Sequence, residues 1–400
     1  MAFAIADLLP DITAGLPAGL SATGVCADSR AVEAGEVFFA LPGTAVHGNA
    51  FIGRSVERGA VAVVTDTAPD ADPGVPVIVV RDVRAAFARA AAAVFAAQPA
   101  TCVGVTGTSG KSSVVSFVRQ IWAANGIAGA SLGTLGLAVG ETLVPGELTT
   151  PDAGSLARTL GELKARGIDH VAIEASSHGL DQRRLDGVRF AAAAYTNLSH
   201  DHLDYHDSLE AYRDAKLRLF TDLLAPGGTA VVNVDDPEHE PFLFAALGAG
   251  AHLVTVGHGA GDIGVDRIER AGFAQKVTGS IKGMPISFTL PLAGKFQVSN
   301  ALVAMALAIT TGVGLAGALA AVPDLKGAKG RLELVGEKKG AGIYVDYAHK
   351  PAALQTVLEA LRPFTRRRLV LVFGAGGDRD RQKRTVMGKI AAHHADAAIV

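Results

Sequence analysis

GVTGTSGKSS, residues 104–113, is the stretch from which the rest of this chain is read. It closes a β-branched strand pattern over residues 101–105 and opens an amphipathic helical pattern at Ser112, the setting that a phosphate-cradling loop requires. Gly107 and Gly110 let the backbone approach an anion closely, while consecutive N–H groups and the helix N-terminus point at its oxygens. Lys111 supplies a point charge for β/γ-phosphates, and Ser112 is placed to offer a hydroxyl to Mg²⁺. Gly107 and Gly110 are separated by two residues, and Gly104 and Gly110 by five, whereas the usual loop has four between its glycines. The stretch is therefore a variant; the plain alternative is a glycine-rich strand-to-helix turn with a chance lysine.

Working outward, strand and helix patterns alternate from about 100 to 330. A helix is expected at 112–124, another at 153–166, strands at HVAIEAS and FAAAAYTN, a helix at 208–224 and a strand at TAVVNVD. Such alternation implies a mostly parallel sheet covered on both faces, with ligands beyond the carboxyl ends of its strands. Glu174, Asn197 and the loop at Gly107 all fall at such ends, so they can converge. Residues 251–292 read as β-rich. Residues 298–322 carry no charge, but alanine, glycine and the break TTGVGLAG favour two buried, close-packed helices over a membrane span.

Before this region, residues 1–98 read as a small α/β domain, with strands EVFFALPG, AVAVVTD and VPVIVV and helices at NAFIGRSVERG and 83–97; Pro99 marks its boundary. After it, residues 331–400 read as the start of a Rossmann-like α/β domain, with strands GIYVDYAHK, RRLVLVFGAGG and DAAIV. GAGGDR is not a dinucleotide fingerprint, because Arg379 occupies its third glycine position. Three strands ending at a strand's carboxyl end leave an open edge and an unfinished crevice, so the chain is expected to be truncated at its C-terminus. The fold class is thus α/β, in three domains: 1–98, a central P-loop ATPase domain at 99–330, and 331–400.

Four hundred residues, 49% of them hydrophobic, supply a core for each domain. A formal net charge of −2 argues against a nucleic-acid surface. Cys26 and Cys102 have no metal-type or disulfide-type spacing, and the N-terminus lacks a secretory pattern, so a cytoplasmic location without membrane insertion is the expectation.

The segment TNLSHDHLDYH gathers His200, Asp201, His202, Asp204 and His206. It admits a zinc or di-metal hydrolase site, with His202 and His206 paired at i, i+4 on a helix; a solvated polar loop; or, given the phosphate loop upstream, side chains completing a Mg²⁺ shell begun by Ser112 and Glu174. Lys216 lies on a helix with apolar Leu209, Tyr212, Leu217 and Phe220, where a surface lysine is the default. Thr149 and Thr150 read as caps of the helix that follows Pro151.

GVTGTSGKSS, TTPD, EASSHGLDQRRLDGVRFAAAAYTNLSHDHLDYH, YRDAKLRLF, GKFQVSNALVA, GRLE, VDYAHKP and VFGAGGDRDRQKR, in this order, closely resemble the Mur ligases, and within them those that add the third amino acid of the peptidoglycan precursor. The short glycine spacing of the loop is usual in that family. The resemblance covers essentially the whole chain. It implies ATP-dependent amide-bond formation between the D-glutamyl carboxylate of UDP-MurNAc-L-Ala-D-Glu and the amine of meso-diaminopimelate or L-lysine, through an acyl phosphate; separately, a monomer is the expectation. By the same resemblance Gly107, Thr108, Ser109, Gly110, Lys111, Ser112 and Ser113 bind the ATP phosphates, and Asn300, Arg331 and Asp346 bind the nucleotide, Asp346 at the ribose. Ser112 and Glu174 hold one Mg²⁺. His202 and a carbamylated Lys216 are tied to a second; CO₂ would turn a neutral amine into an anionic oxygen ligand. Ser29, Thr149, Thr150, Ser176, Gln182 and Arg184 contact the UDP-sugar-peptide, and Arg379 the incoming amino acid. Folylpolyglutamate synthetase shares this architecture and acyl-phosphate chemistry but is expected to lack the N-terminal domain and SSHGLDQ. A catalytically silent nucleotide-binding protein is the alternative outside the enzymes.

Overall fold

The structure, a computed structural model, describes residues 2–10, 12, 19–43, 46–259, 261–374 and 382–400. The chain forms two compact units: Met1–Thr106 with Ala128–Ala193 and His202–Gly228, and Gly107–Ile127 with Ala194–Asp201 and Thr229–Val400.

In the first unit the strands Gly24–Cys26, Glu36–Ala40, Ala62–Thr65 and Val77–Val79 lie parallel in that order. Phe38, Phe39, Val63 and Val64 are all buried, the continuous apolar run of a parallel sheet covered on both faces. Phe87 of the helix Val83–Phe95 packs on Phe39 with ring centroids 5.2 Å apart, while Ile52 and Val32 pack with Phe38 and Val63. That helix starts where the Asp82 carboxylate accepts from Ala85 N at 3.0 Å and ends at Ala96, which turns left-handed (φ 49°).

The strands that a larger sheet contributes to this unit run in the order Thr142–Val144, Gly136–Val139, Gly129–Gly133, His170–Glu174, Thr101–Thr106. His170–Glu174 pairs parallel with both Gly129–Gly133 and Thr101–Thr106, so Glu174 arrives at the carboxyl end of its strand, as expected. The first three strands form an antiparallel meander that the sequence did not disclose. GASLGTLGLAVGETLV offers short, glycine-punctuated runs with neither a period of 2 nor one of 3.6 long enough to read.

In the second unit the helix Lys111–Ala124, one residue earlier than expected, packs on Lys295–Thr310 and Leu315–Ala321. Trp122, fully buried, donates its indole N–H to Thr311 Oγ1 at 3.0 Å. Lys295–Thr310 is buried along most of its length, but of Leu315–Ala321 only Ala318 and Ala321 are buried, so one of the two helices expected in the uncharged stretch is half-exposed. No helix among the described residues is long and apolar enough to cross a membrane. The β-rich stretch resolves into His252–His258, Ile263–Ala271, Ala274–Ile281 and Met284–Leu290; the last three form an antiparallel meander.

The strand expected at GIYVDYAHK is present as Ala341–Val345, and it pairs antiparallel with Glu333–Lys338, a strand the sequence did not disclose. Lys339 and Gly340, both at positive φ (53° and 78°), close the two-residue hairpin loop. Val370–Val372 and Ala397–Ile399 form their own parallel pair. The expected three-strand unit is thus two separate two-stranded sheets among the described residues.

Candidate active site

Glu174 is 1% exposed, and its side-chain hydrogen bonds come from neutral groups: Oε1 accepts from Thr134 N at 2.9 Å and Oε2 from Thr134 Oγ1 at 3.1 Å. Thr134 Oγ1 also lies 3.0 Å from Thr149 Oγ1. The Glu174 carbonyl accepts from Thr150 Oγ1 at 2.7 Å, and that hydroxyl sits 3.0 Å from Ser176 Oγ. Neither threonine caps a helix. Asp152 does so, accepting from Ser155 N at 3.0 Å, because its carboxylate reaches the free N–H groups while the threonine hydroxyls are drawn to the strand end. Ser176 caps the short helix Ser177–Asp181 through Gly179 N at 3.1 Å.

Beyond that helix, Arg184 donates from Nη1 to Thr150 O (2.8 Å) and from Nη2 to Gln182 Oε1 (2.6 Å). Burial holds its guanidinium below its ordinary pKa. Gln182 Nε2 donates to Tyr205 OH at 3.1 Å, and Tyr205 OH donates to Asp181 Oδ2 at 2.6 Å. Thr149, Thr150, Ser176, Gln182 and Arg184 therefore belong to one hydrogen-bonded network around Glu174. Ser29, buried beyond the strand Gly24–Cys26, is not part of its hydrogen-bonded chain.

Lys216 is 1% exposed, which overturns the surface-lysine default. Its helix, Leu209–Thr221, buries Tyr212, Ala215, Leu219 and Phe220, and the lysine falls on that face one turn after Tyr212, with Nζ 4.2 Å from the Tyr212 ring centroid. His202 and His206 stand 6.1 and 5.3 Å from the same ring. They do not share a helix: His206 N donates to His202 O at 2.9 Å in an isolated turn, and His202 is left-handed (φ 54°). That conformation is uncommon for a side chain with a Cβ and marks a residue held by its surroundings. His178, which the sequence reading did not single out, joins them, its ring 4.9 Å from His202, 5.6 Å from His206 and 4.0 Å from Tyr205. Burial lowers the pKa of both His178 and His206, favouring neutral imidazoles. His200 and Asp204 are exposed, and no group of three or more His, Cys, Asp and Glu side chains among the described residues is set to hold a metal by itself. The hydrolase alternative finds no support in this geometry.

The second unit carries the phosphate-type loop. Gly107 (φ 143°) and Gly110 (φ 89°) occupy conformations that favour glycine, and a Cβ would strike Thr196 Oγ1 at the first and Asn300 Oδ1 at the second. Asn197 grips the loop from both sides, accepting from Ser109 N (2.9 Å) and donating to Ser109 O (3.1 Å). Lys111 Nζ donates to the carbonyls of Gly107 (2.7 Å) and Thr108 (2.9 Å), and Ser112 and Ser113 are buried at the helix start. Asn300 lies against Gly110 and donates to Gln297 Oε1 at 3.1 Å. Asp201 pairs with Lys350. Arg331 stacks over Tyr347 at 5.1 Å, and the Asp346 carboxylate accepts from Leu332 N (2.7 Å) and Ala348 N (2.8 Å), with burial raising its pKa. Arg379 lies outside the described residues.

A glycine loop held by asparagines, a buried carboxylate at a strand end and a buried lysine beside imidazoles are set on an α/β framework, and three successive family models match it. They are the Mur ligase family catalytic domain over residues 21–95, the Mur ligase middle domain over 105–308 and the Mur ligase glutamate ligase domain over 330–400. The chain belongs to the Mur ligase family, with its N-terminal, middle and C-terminal domains and a mostly parallel central sheet.

Within the family it is similar to proteins named UDP-N-acetylmuramoyl-L-alanyl-D-glutamate--2,6-diaminopimelate ligase. That of Bradyrhizobium diazoefficiens is 52% identical over 392 residues, 96% of this chain and 80% of that protein; that of Chelativorans sp. is 50% identical over 396 residues, 99% and 82%. A solved structure of a ligase of the same name, 31% identical, superposes with a TM-score of 0.83 over all of this chain and 82% of that one. MurF from Acinetobacter baumannii (22% identity, TM-score 0.68, 100% of this chain and 85% of that one) and L. casei FPGS (14%, 0.63, 79% and 82%) share the fold.

Proposed function

We propose that this chain catalyses the ATP-dependent joining of 2,6-diaminopimelate to the D-glutamyl carboxylate of UDP-MurNAc-L-Ala-D-Glu in peptidoglycan synthesis. The observation that carries the reading is buried Glu174, whose carboxylate accepts, among the described residues, from the amide and hydroxyl of Thr134, linked on to Thr149, and whose backbone carbonyl accepts from Thr150, linked on to Ser176, Arg184 and Gln182. A buried carboxylate whose partners are all neutral has its charge uncompensated and suits a cation, and a hard divalent ion prefers such oxygen ligands. Mg²⁺, with Glu174 among its ligands, would supply charge neutralisation. Diaminopimelate is preferred to lysine because the relatives at about half identity carry it in their names.

In this reading the glutamyl carboxylate attacks the γ-phosphorus of ATP and ADP leaves; the amine then attacks the acyl phosphate, and phosphate departs. Arg184 and Gln182, with Thr149, Thr150, Ser176 and Ser29, hold the UDP-sugar-peptide. The N–H groups of residues 107–113 and Lys111 hold the triphosphate, with Asn300, Arg331 and Asp346 at the nucleoside and Arg379 at the amino acid. His202 and a carbamate on Lys216 would hold a second cation; a lysine this buried, against an aromatic ring, is suited to that modification. The domain limits follow as 1–98, 99–330 and 331–400. The protein works as a cytoplasmic monomer, for which gel filtration should give the mass of one chain.

The test is phosphate release from ATP. It should require the UDP-dipeptide and diaminopimelate together; release at the same rate with either omitted refutes the ligase, and preference for lysine refutes the amino acid.

A further inference from the structure

Tyr205 occupies a junction that none of the roles above uses. Its hydroxyl accepts from Gln182 Nε2 (3.1 Å) and donates to Asp181 Oδ2 (2.6 Å), while one face of its ring meets His178 with centroids 4.0 Å apart. A glutamine amide has two orientations that differ by exchange of O and N, and only its partners choose between them. Here Arg184 Nη2 donates to Oε1 (2.6 Å) and the Tyr205 hydroxyl oxygen accepts from Nε2 (3.1 Å). Asp181 in turn fixes the hydroxyl, since its carboxylate can only accept, which leaves the phenol oxygen's lone pairs for Gln182.

We infer that Tyr205 is a positioning residue for the sugar-peptide substrate, acting through Gln182: its hydroxyl, donating to Asp181 and accepting from Gln182 Nε2, orients the Gln182 amide and with it the Arg184 guanidinium. The inference rests on the proposed function only in taking Gln182 and Arg184 as contacts to the UDP-dipeptide. Residue 205 therefore belongs to ground-state binding of one substrate, even though it lies three residues from His202.

The experiment is Tyr205→Phe, which keeps the ring against His178 and removes the hydroxyl. The KM for UDP-MurNAc-L-Ala-D-Glu should rise about 5- to 10-fold, the scale of one or two lost hydrogen bonds, with kcat and the KM for ATP and diaminopimelate held within about twofold. Calorimetric binding of the UDP-dipeptide should weaken by the same factor. In a Gln182→Ala background the same substitution should add no more than about 1.5-fold, because the residue through which it acts is gone. An unchanged KM, a fall in kcat alone, or an effect that persists in the Gln182→Ala background overturns the inference. A wild-type protein that fails to ligate at all, yet binds the UDP-dipeptide with the Tyr205→Phe effect intact, counts against the proposed function and leaves the positioning role standing.

Discussion

Gly133 has an ordinary backbone conformation, so nothing local forbids a side chain there, yet a Cβ built on it lands inside the Glu174 carboxyl group, against Oε1, Cδ and Cγ. Gly133→Ala therefore tests whether Glu174 is held where the chemistry needs it. The carboxylate cannot step aside without giving up its bonds from Thr134 N and Oγ1 (2.9 and 3.1 Å) inside a pocket that leaves it 1% exposed. Bonds to an ionised group contribute about 1.5–3 kcal/mol each, and overpacking a filled site costs about 1–3 kcal/mol. Allowing for partial rehydration of the displaced group, the expected loss is about 3–5 kcal/mol, a fall in melting temperature of about 6–20 °C. Ligation should drop about 10- to 100-fold, as when a partner that orients a metal ligand is removed. Calorimetric melting and phosphate release measure the two. In a Glu174→Ala background the atoms in collision are absent, so adding Gly133→Ala should be neutral or stabilise slightly through the unfolded chain. Wild-type melting and turnover in the single variant, or an equal loss in the double variant, would refute the reasoning.

Lys216→Ala should abolish ligation while circular dichroism stays unchanged; unchanged turnover would remove the carbamate from the mechanism. Asp152→Ala removes the cap of Ala153–Ala165 and should cost about 1 kcal/mol in chemical denaturation with little change in kcat; no loss of stability would show that the cap bond contributes nothing. Asp186, whose pKa burial raises against the pull of Arg218 and Arg183, gives a pH test. The native state holds that proton to a higher pH than the unfolded chain, so stability should fall as pH rises from the ordinary carboxylate value through the raised one. Asp186→Asn should flatten that part of the profile; a steeper fall in denaturation from pH 4 to 7 would show the sign wrong, and an unaltered slope would show that Asp186 does not set it.

The chemistry of this protein was written locally. GVTGTSGKSS carries its glycines, lysine and serine within ten residues, and strand and helix flank it as the pattern required, because backbone geometry and short-range periodicity act over that same length. Glu174 and Asn197 could be placed at strand ends for the same reason. What the chain could not announce by itself was which neutral groups would surround Glu174. Thr134 and Gly133 come from a meander too short and glycine-rich to have a period, and they meet the carboxylate only because Gly129–Gly133 pairs parallel with His170–Glu174.

The burial of Lys216 was equally hidden, since a lysine one turn from Tyr212 reads as solvated until His202 and His206 pack against Tyr212 on that helix face, with His178 against them. The hairpin that captured GIYVDYAHK was decided by Lys339 and Gly340 at positive φ and by a partner strand of low apolar content. Sequence by itself determined the motif residues and the alternation of elements, since both are encoded within a few turns of chain. Only the tertiary structure decided burial, hydrogen-bond partners and pairing register, because each depends on residues tens of positions apart competing for the same space.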